Sequence, residues 1–570
     1  MFRPSATATA RSQNSPRTPI AASRATSRRS MFGCATRLAL APQIYRRMWL
    51  PADPAGLVPL RRLPLPGPRR EQQGRGGATA LAVTIRFLIR CPLLQMCASL
   101  FPVQTTGRPT PPARYWFFYG ALARELGSFE AADQEVLAHY ELIREEFAAQ
   151  GVKLPAAKPG TTNPVPGYHA FNRWRQDKFY DRFGDLRGVH RDATLTLAAA
   201  IRDAEARATG DPLSPSLGEV LSGDASVFQP PSDVQALTFS NEDTQEQYTI
   251  FQGSRAKNPK GARVHDPGGR YGDVKKHGPK EGFYHLAIST KGYDSYTRVV
   301  VDVDVAEAGQ SESDAALPML DAALAAAPGY FQAVAYDGQI YPRHALELLR
   351  RHGTYVVNHN GVKAKTHPHG VDGQAGLTVR QHGQYKDRAV RTHFAALPSQ
   401  HHQRADGTVC THHLVSDDGA VYPSDRPAGA GTPLKSGRVI VPAALRRHRR
   451  PRQGFEVALD YSIPCQHGDL TYSAALTETK PDSRGRVAWG SALSAHRVIP
   501  EAWTDRFREV FGARNQSESF FSWLEKCYFH KDRAASWGRQ AQQCDLFMAA
   551  LLHNAEAWAH YAYRHAPAPA

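Results

Sequence analysis

The feature that most constrains the fold is an alternation of strand and helix signals between residues 218 and 360. Three β-leaning segments come first, at 220–228, 282–289 and 297–305. The third alternates apolar and polar residues at a period of two, which is typical of a strand. Four further segments follow in the order helix, strand, helix, strand, at 313–327, 331–336, 342–352 and 354–357. This order predicts a mixed α/β sheet with helices on its faces.

Positive charge is concentrated at the N-terminus. The first 110 residues hold 17 Arg, no Lys and two acids, so they carry +15 of the net charge of +17. They are rich in Ala, Pro, Ser and Gly and show no sustained period, a composition that buries too little apolar area to offset the entropy of ordering. We therefore predict a disordered arm over 1–110. Upstream DNA translated from a start codon assigned too early explains it equally well, with Met96 as a later start.

Residues 80–104 are the most apolar part of this arm, but Arg86, Arg90 and Pro92 interrupt them. A membrane-spanning helix needs roughly 20 consecutive apolar residues, so no such helix is predicted. The seven Cys residues show no regular framework, which favours a reducing compartment. The expected location is the cytoplasm.

Residues 111–215 form a region with two helical stretches, 113–150 and 168–209, and a linker rich in Pro, Gly and Thr between them. The second stretch combines basic and aromatic residues, namely Arg173, Trp174, Arg175, Lys178, Tyr180, Arg182 and Phe183. Two interpretations have equal weight. The stretch binds DNA, or it belongs to a small helical bundle with a solvated basic face.

Three separated acids have the chemistry of a metal site: Asp224 at the first strand, Asp337 at the end of a later strand, and Glu518 on a C-terminal helix. Cutting or joining a phosphodiester places charge on the attacking and leaving oxygens, and two divalent ions about 4 Å apart can stabilise both. Mg²⁺ prefers hard oxygen ligands such as carboxylates. Neighbouring strands could hold the two Asp side by side, and a packed helix could add the Glu.

Each of these acids also has a structural interpretation. Asp224 stands in SGDAS, which resembles a turn, and Asp337-Gly338 is a common strand-end turn. Glu525 competes with Glu518 on the same helix. Two further acids, Asp302 and Asp304, share one face of the third strand, and we interpret them as its solvated side rather than as metal ligands.

Four stretches resemble insertion-element transposases of the DDE superfamily, whose catalytic domain has a ribonuclease H-like fold. They are GDAS at 223–226, GFYHLA at 282–287 leading to the Ser313-Asp314 helix start, VAYDG at 334–338, and RNQSESFFSWLEK at 514–526. The resemblance covers about 218–360 and 505–560. It implies that Asp224, Asp337 and Glu518 are catalytic and bind Mg²⁺ or Mn²⁺.

The same resemblance implies that Arg514, four residues before the Glu, and Lys526 contact DNA. Two positions depart from the pattern: Lys526 stands at +8 where +7 is usual, and Phe511 replaces an expected Tyr. The implied partners are terminal inverted repeats, target DNA and a second copy of the chain in a homodimeric complex. The implied setting is bacterial and nucleoid-associated, without a membrane.

Asp337 and Glu518 are 181 residues apart, and the intervening 361–500 are rich in Gly, His, Arg and Thr. We interpret them as a β-rich insertion that divides the catalytic domain into 216–360 and 501–570. Within it, four residues have the side chains that zinc prefers: Cys410, His412, Cys465 and His467. Their spacing is not that of a zinc finger, so scattered surface His is the favoured interpretation and structural Zn²⁺ the alternative.

The insertion also holds the densest basic run outside the arm, with Arg446, Arg447, Arg449 and Arg450. Contact with DNA phosphates would suit this run and would make binding strongly salt-dependent. The alternative is a disordered loop with solvated charge. We favour DNA contact, because the proposed chemistry requires DNA.

These observations predict a ribonuclease H-like mixed sheet flanked by helices and interrupted by a β-rich insertion. A helical N-terminal region and a disordered arm precede it. The expected function is that of a DNA transposase, which hydrolyses phosphodiesters at transposon ends and transfers a strand into target DNA. Two alternatives remain: a decayed or domesticated copy that only binds DNA, and a different ribonuclease H-like DNA nuclease.

Overall fold

The computed structural model describes most residues between 77 and 565. The described ranges are 77–102, 110–161, 164–204, 210, 215–228, 235–240, 247–252, 270–274, 278–290, 297–307, 311–336, 340, 342–357, 377–385, 388–404, 406–417, 420–427, 440, 442–450, 454–477, 505–527, 534–536 and 538–565. Their helices are α1 (Gly77–Arg90), α2 (Pro92–Ala98), α3 (Ala113–Glu125), α4 (Phe129–Ala138), α5 (Tyr140–Ala149), α6 (Tyr168–Trp174), α7 (Tyr180–Ala204), α8 (Glu312–Ala326), α9 (Pro342–His352), α10 (Asp505–Gly512), α11 (Asn515–Cys527) and α12 (Arg539–His565). A π-helical segment, Arg175–Phe179, joins α6 to α7.

The strands of the main sheet are β1 (Val220–Phe228), β4 (Arg270–Val274), β5 (Gly278–Thr290), β6 (Val299–Glu307), β7 (Ala333–Ala335) and β8 (Tyr355–Val357). A separate hairpin consists of β2 (Gln235–Ser240) and β3 (Gln247–Gln252). The later strands are β9 (Leu377–Tyr385), β10 (Arg388–Gln403), β11 (Val409–Asp417), β12 (Ala420–Ser424), β13 (Pro442–Arg450), β14 (Gly454–Ile463) and β15 (Leu470–Thr477).

The main sheet has β1 at its centre and the spatial order β6-β5-β1-β7-β8, with β4 also pairing with the first residues of β5. β5 runs antiparallel to both β1 and β6, whereas β7 is parallel to β1 and β8 is parallel to β7. α8 lies between β6 and β7 in the chain, and α9 lies between β7 and β8. The predicted mixed α/β sheet with helices on its faces is confirmed.

The outer edge of β6 is covered by helices in the part of the chain that the structure describes. Asn554 of α12 accepts a hydrogen bond from the backbone N–H of Val300 and donates one to its carbonyl, both at 2.8 Å. Arg539 donates to the carbonyl of Val305 at 2.7 Å. An uncovered edge could pair with another chain, so these side chains replace a missing strand.

Helix α12 is the centre of the largest core. It packs on β6 and on α1, α3 and α7, and residues such as Leu551 and Trp558 are buried on every side of it. A helix that is apolar all round belongs to a protein interior. Even its charged Asp545 is buried and lies 3.8 Å from the buried Arg124. The N-terminal helices and the C-terminal helix therefore share one core with the sheet.

The basic and aromatic stretch that follows the linker also contributes to this core. Phe171 and Phe179 are buried, and the buried guanidinium of Arg175 lies 4.0 Å from the carboxylate of Asp545. The exposed basic residues of the stretch are Arg173, Lys178 and Arg182. This arrangement favours the helical-bundle interpretation of the region, with these three residues on its solvated face.

Residues 77–98 correct the prediction of a disordered arm over 1–110. They form α1 and α2, and Leu88 and Leu93 are fully buried. Arg86 and Arg90, which interrupt the apolar pattern, both bind the carboxylate of Glu146 at 3.0 Å. Because that carboxylate neutralises the two charges, the stretch packs as helix. Residues 1–76 lie outside the described part of the chain, and a start at Met96 would remove α1.

No single helix among the described residues is long and apolar enough to span a membrane. Residues Leu81–Arg90 and Pro92–Ala98 satisfy the length and composition criteria only as a pair, and the pair is bent by 51°.

Asp302 and Asp304 do not form the solvated side of their strand, so that interpretation is wrong. Asp302 is fully buried and receives two hydrogen bonds of 2.9 Å from the guanidinium of Arg187 on α7. The same guanidinium donates to Asp304 at 2.6 Å. Burial alone would lower the pKa of Arg187, but the two carboxylates more than offset it and hold that pKa above its usual value. This ion pair fastens α7 to the sheet.

We predict that Asp302→Asn lowers the free energy of unfolding by about 3 kcal/mol, because it leaves the buried charge of Arg187 undercompensated. Asp185→Asn is the matched control, since Asp185 pairs with Arg182 on the same helix but its side chain is 60% exposed. The control should change stability by less than about 1 kcal/mol. Urea unfolding followed by tryptophan fluorescence measures both, and equal small effects would contradict a structural role for the buried pair.

Candidate active site

Asp224 lies in strand β1, on the face that helix α11 covers. Residues two apart in a strand point to the same side, and the neighbours on either side of Asp224 both contact α11. The hydroxyl of Ser222 is hydrogen-bonded to that of Ser517 at 3.1 Å, and Ser226 donates to Glu525 at 3.4 Å. Asp224 therefore belongs to the strand rather than to a turn, and the turn interpretation is wrong.

Three buried serines join α11 to the sheet. The hydroxyls of Ser222 on β1, Ser289 on β5 and Ser517 on α11 form a triangle with oxygen–oxygen distances of 3.0, 3.0 and 3.1 Å. The register places Ser222 opposite Ser289 in the antiparallel pair, so two strands present their hydroxyls to one point of the helix. The triangle holds the first turn of α11 against the strand that carries Asp224.

Glu518 directly follows Ser517 in this first turn. Its carboxylate accepts a hydrogen bond from Arg514, four residues earlier, and its side chain remains 42% exposed. The guanidinium carbon of Arg514 lies 5.5 Å from the centre of the Phe511 ring, so the residue that replaces the expected Tyr still contacts this Arg through its ring face. A helix N-terminus favours a negative charge, which suits a metal-binding carboxylate.

Glu525, the competing acid, lies two turns further along α11 beside Ser226. The helix thus brings two glutamates along the strand of Asp224. The side chain of Lys526 lies outside the described part of the chain. The carboxylates described here do not form a group of three close ligands among the described residues.

Asp337 also lies outside the described residues, and the residue before it, Tyr336, is held firmly. The hydroxyl of Tyr336 donates to Glu312 at 2.8 Å, and its backbone N–H donates to the carbonyl of Val357 at 3.2 Å. Its ring packs on Gly223, where an added Cβ would lie 2.5 Å from a ring carbon. The absence of a side chain at 223 therefore permits β1 and the end of β7 to approach closely.

The predicted zinc ligands are brought together in part. Ligand atoms of Cys410, His412 and Cys465 all lie within 4.8 Å of one another, and the two sulfur atoms are 3.8 Å apart. His467 is not in this group and is exposed. Scattered surface residues therefore do not describe the other three.

The basic run forms strand β13, so the disordered-loop interpretation is wrong. Arg446 pairs across the sheet with the carboxylate of Asp460, and its hydrogen bond holds the pKa of that carboxyl below its usual value. It also donates to Ser473 at 3.2 Å. The side chains of Arg447, Arg449 and Arg450 lie outside the described residues.

Sequence reasoning missed the serine triangle and the ion pair between Arg187 and Asp302. Serine next to a candidate acid is a weak signal that became meaningful only when three elements converged. The partners of each set are separated by more than 60 residues in the chain, and no local period could have connected them.

A comparison of the chain with models of known protein families finds no match, and no curated protein matches it significantly. The site's interpretation therefore depends on its geometry and on the sequence motifs.

We predict that Gly223→Ala lowers the free energy of unfolding by about 1–3 kcal/mol, because the new methyl group must displace the Tyr336 ring or Ile288. Gly184→Ala on α7 is the matched control, since an added Cβ meets nothing within 4 Å there. Alanine in a helix is favoured over glycine, so the control should gain up to about 1 kcal/mol. Chemical denaturation measures both, and a neutral Gly223→Ala would show that the approach is not tight.

Proposed function

We propose that this chain is a DNA transposase that hydrolyses phosphodiesters at the ends of its element and transfers the freed strand into target DNA. The observation that carries the proposal is the docking of α11 on β1. Through the serine triangle, the turn that bears Glu518 is held against the strand that bears Asp224. The motifs at 223–226 and 514–526, which carry the resemblance to DDE transposases, thus belong to one site.

The connectivity of the sheet supports a ribonuclease H-like catalytic domain. Three consecutive antiparallel strands occupy one side, and two strands parallel to the first are added on the other side after helices. A ribonuclease H-like sheet has this order. The insertion follows β8 and precedes α10, and its Leu414 and Leu459 share a core with Ala333 and Tyr355 of the sheet.

The position of Asp337 in the proposed site follows from an offset in the register. β1 and β7 are parallel, and Ser222 pairs with Ala335. Asp224 stands two residues after Ser222, and Asp337 stands two residues after Ala335. Equal offsets along parallel neighbours support adjacent aspartates at the carboxyl end of the sheet, where ligands of open α/β sheets commonly bind.

Asp224, Asp337 and Glu518 would hold two Mg²⁺ or Mn²⁺ ions, since all three offer hard oxygen ligands. When bound, such ions supply an activated water and stabilise charge on the attacking and leaving oxygens. Arg514 orients the Glu518 carboxylate. The partial exposure of Glu518 leaves it accessible to DNA. The proposed partners are terminal inverted repeats, target DNA and a second copy of the chain, in the cytoplasm.

The test uses purified protein, Mg²⁺ or Mn²⁺, and duplex DNA carrying the ends of the element. We predict that Asp224→Asn, Asp337→Asn and Glu518→Gln each reduce strand cleavage roughly 10²- to 10³-fold, as expected from losing several kcal/mol of transition-state stabilisation. Glu525→Gln, on the same helix and beside the same strand, is the matched control and should retain activity.

Full activity of Asp337→Asn would show that the triad is wrong, and inactivation by Glu525→Gln alone would transfer the third role to Glu525. DNA binding without metal-dependent cleavage would identify a decayed or domesticated copy. Cleavage without strand transfer would identify a different nuclease. Inverted repeats flanking the gene, with a short target duplication, would support transposition independently of the assay.

A further inference from the structure

We propose that Cys410, His412 and Cys465 bind a structural zinc ion that fastens the two β-sheets of the insertion to each other. Cys410 and His412 lie on β11 of the four-stranded sheet, two residues apart and hence on one face. Cys465 follows β14 of the three-stranded sheet, in the turn before β15. The three ligand atoms come from different sheets and meet within 4.8 Å.

The separation of the two sulfur atoms fits a metal better than a disulfide. They are 3.8 Å apart, whereas a disulfide bond is about 2.0 Å long. Two thiolates bonded at about 2.3 Å to one tetrahedral zinc ion are about 3.8 Å apart by geometry. Thiolate and imidazole are the ligands of structural zinc sites.

The histidine of the group has an unsatisfied ring nitrogen. Nε2 of His412 is buried and has no hydrogen-bond partner, which is costly for a polar atom. Its neighbours on the other face of the sheet are satisfied. Nδ1 of His413 is hydrogen-bonded to Ser399 at 2.8 Å, and Nδ1 of His401 is hydrogen-bonded to Thr411 at 3.0 Å. A zinc ion would give His412 the partner that the others have.

His402, rather than His467, is the fourth ligand. It stands directly opposite Cys410 in the antiparallel ladder, where Cβ atoms are about 4.5–5.5 Å apart. Its ring reaches the turn of Cys465, because Cε1 lies 3.9 Å from the position of a Cβ on Gly468. Its Nδ1 is buried without a hydrogen-bond partner. His402 lies outside the 4.8 Å group, so its side chain rotates to complete the tetrahedron.

Four protein ligands close the coordination sphere, which is the arrangement of structural rather than catalytic zinc. The ion would hold the turn after β14 against β11. Because a site of this kind forms only in the folded chain, zinc binding adds to the stability of the insertion. The proposal is independent of the transposase proposal, since none of the four residues belongs to the carboxylate site.

The first experiment measures metal in the full-length protein purified from zinc-supplemented medium. Atomic emission should find one zinc ion per chain after extensive dialysis. Replacement by Co²⁺ should give thiolate-to-cobalt charge-transfer absorption and the intense visible bands of a tetrahedral site. Absence of both zinc and the cobalt spectrum in the wild-type protein would overturn the proposal, as would a Cys410–Cys465 disulfide found by mass spectrometry of the reductant-treated protein.

Variants then identify the ligands. Cys410→Ser, Cys465→Ser and His412→Ala should each weaken zinc binding at least about 10-fold in competition with a chromophoric chelator. His413→Ala is the matched control, because it is adjacent in sequence but hydrogen-bonds on the other face, and it should retain full binding. Unchanged affinity in the Cys variants would overturn the site.

The fourth ligand is tested by the cobalt spectrum of two further variants. His402→Ala should change its visible bands, and His467→Ala should leave them unchanged. The reverse result would overturn the assignment of His402. A chelator should lower the melting temperature of the wild-type protein but not that of Cys410→Ser, a readout that does not require DNA cleavage.

Discussion

The open edge of strand β6 is the constraint on which the arrangement of the whole chain depends. Its backbone groups need partners, and within the described residues α12 supplies them through Asn554 and Arg539. To reach this edge, α12 is buried on all sides, so the N-terminal helices must cover its remaining surface. Residues from both ends of the chain thus become parts of one catalytic body, and an independent N-terminal module is not formed.

The sequence predicted the parts of the fold that local periods encode. The order of strands and helices from 220 to 357 was correct, because alternation and helix caps are local signals. The burial of Asp302 could not be inferred, since its partner Arg187 is 115 residues away. The arm was misjudged at 77–98 for the same reason: the arginines looked like interruptions until Glu146 neutralised them.

The candidate sites show the same limit. Position relative to a motif identified Asp224 and Glu518, but their docking depends on serines that no motif marks. For the zinc site, proximity in sequence suggested His467 beside Cys465, whereas the ladder register brings His402 opposite Cys410. Residues that face each other across a sheet are chosen by strand pairing, which a single sequence does not reveal.

The serine triangle makes the carboxylate site preorganised. Hydroxyl groups stay neutral across the physiological pH range and are weaker magnesium ligands than carboxylates. The contact between α11 and β1 therefore does not depend on pH or on metal. The strand of Asp224 and the turn of Glu518 keep their spacing before any ion binds, so metal binding need not be offset by the entropy of ordering a ligand-bearing helix. Rigidity is supplied by neutral groups, and charge is left for chemistry.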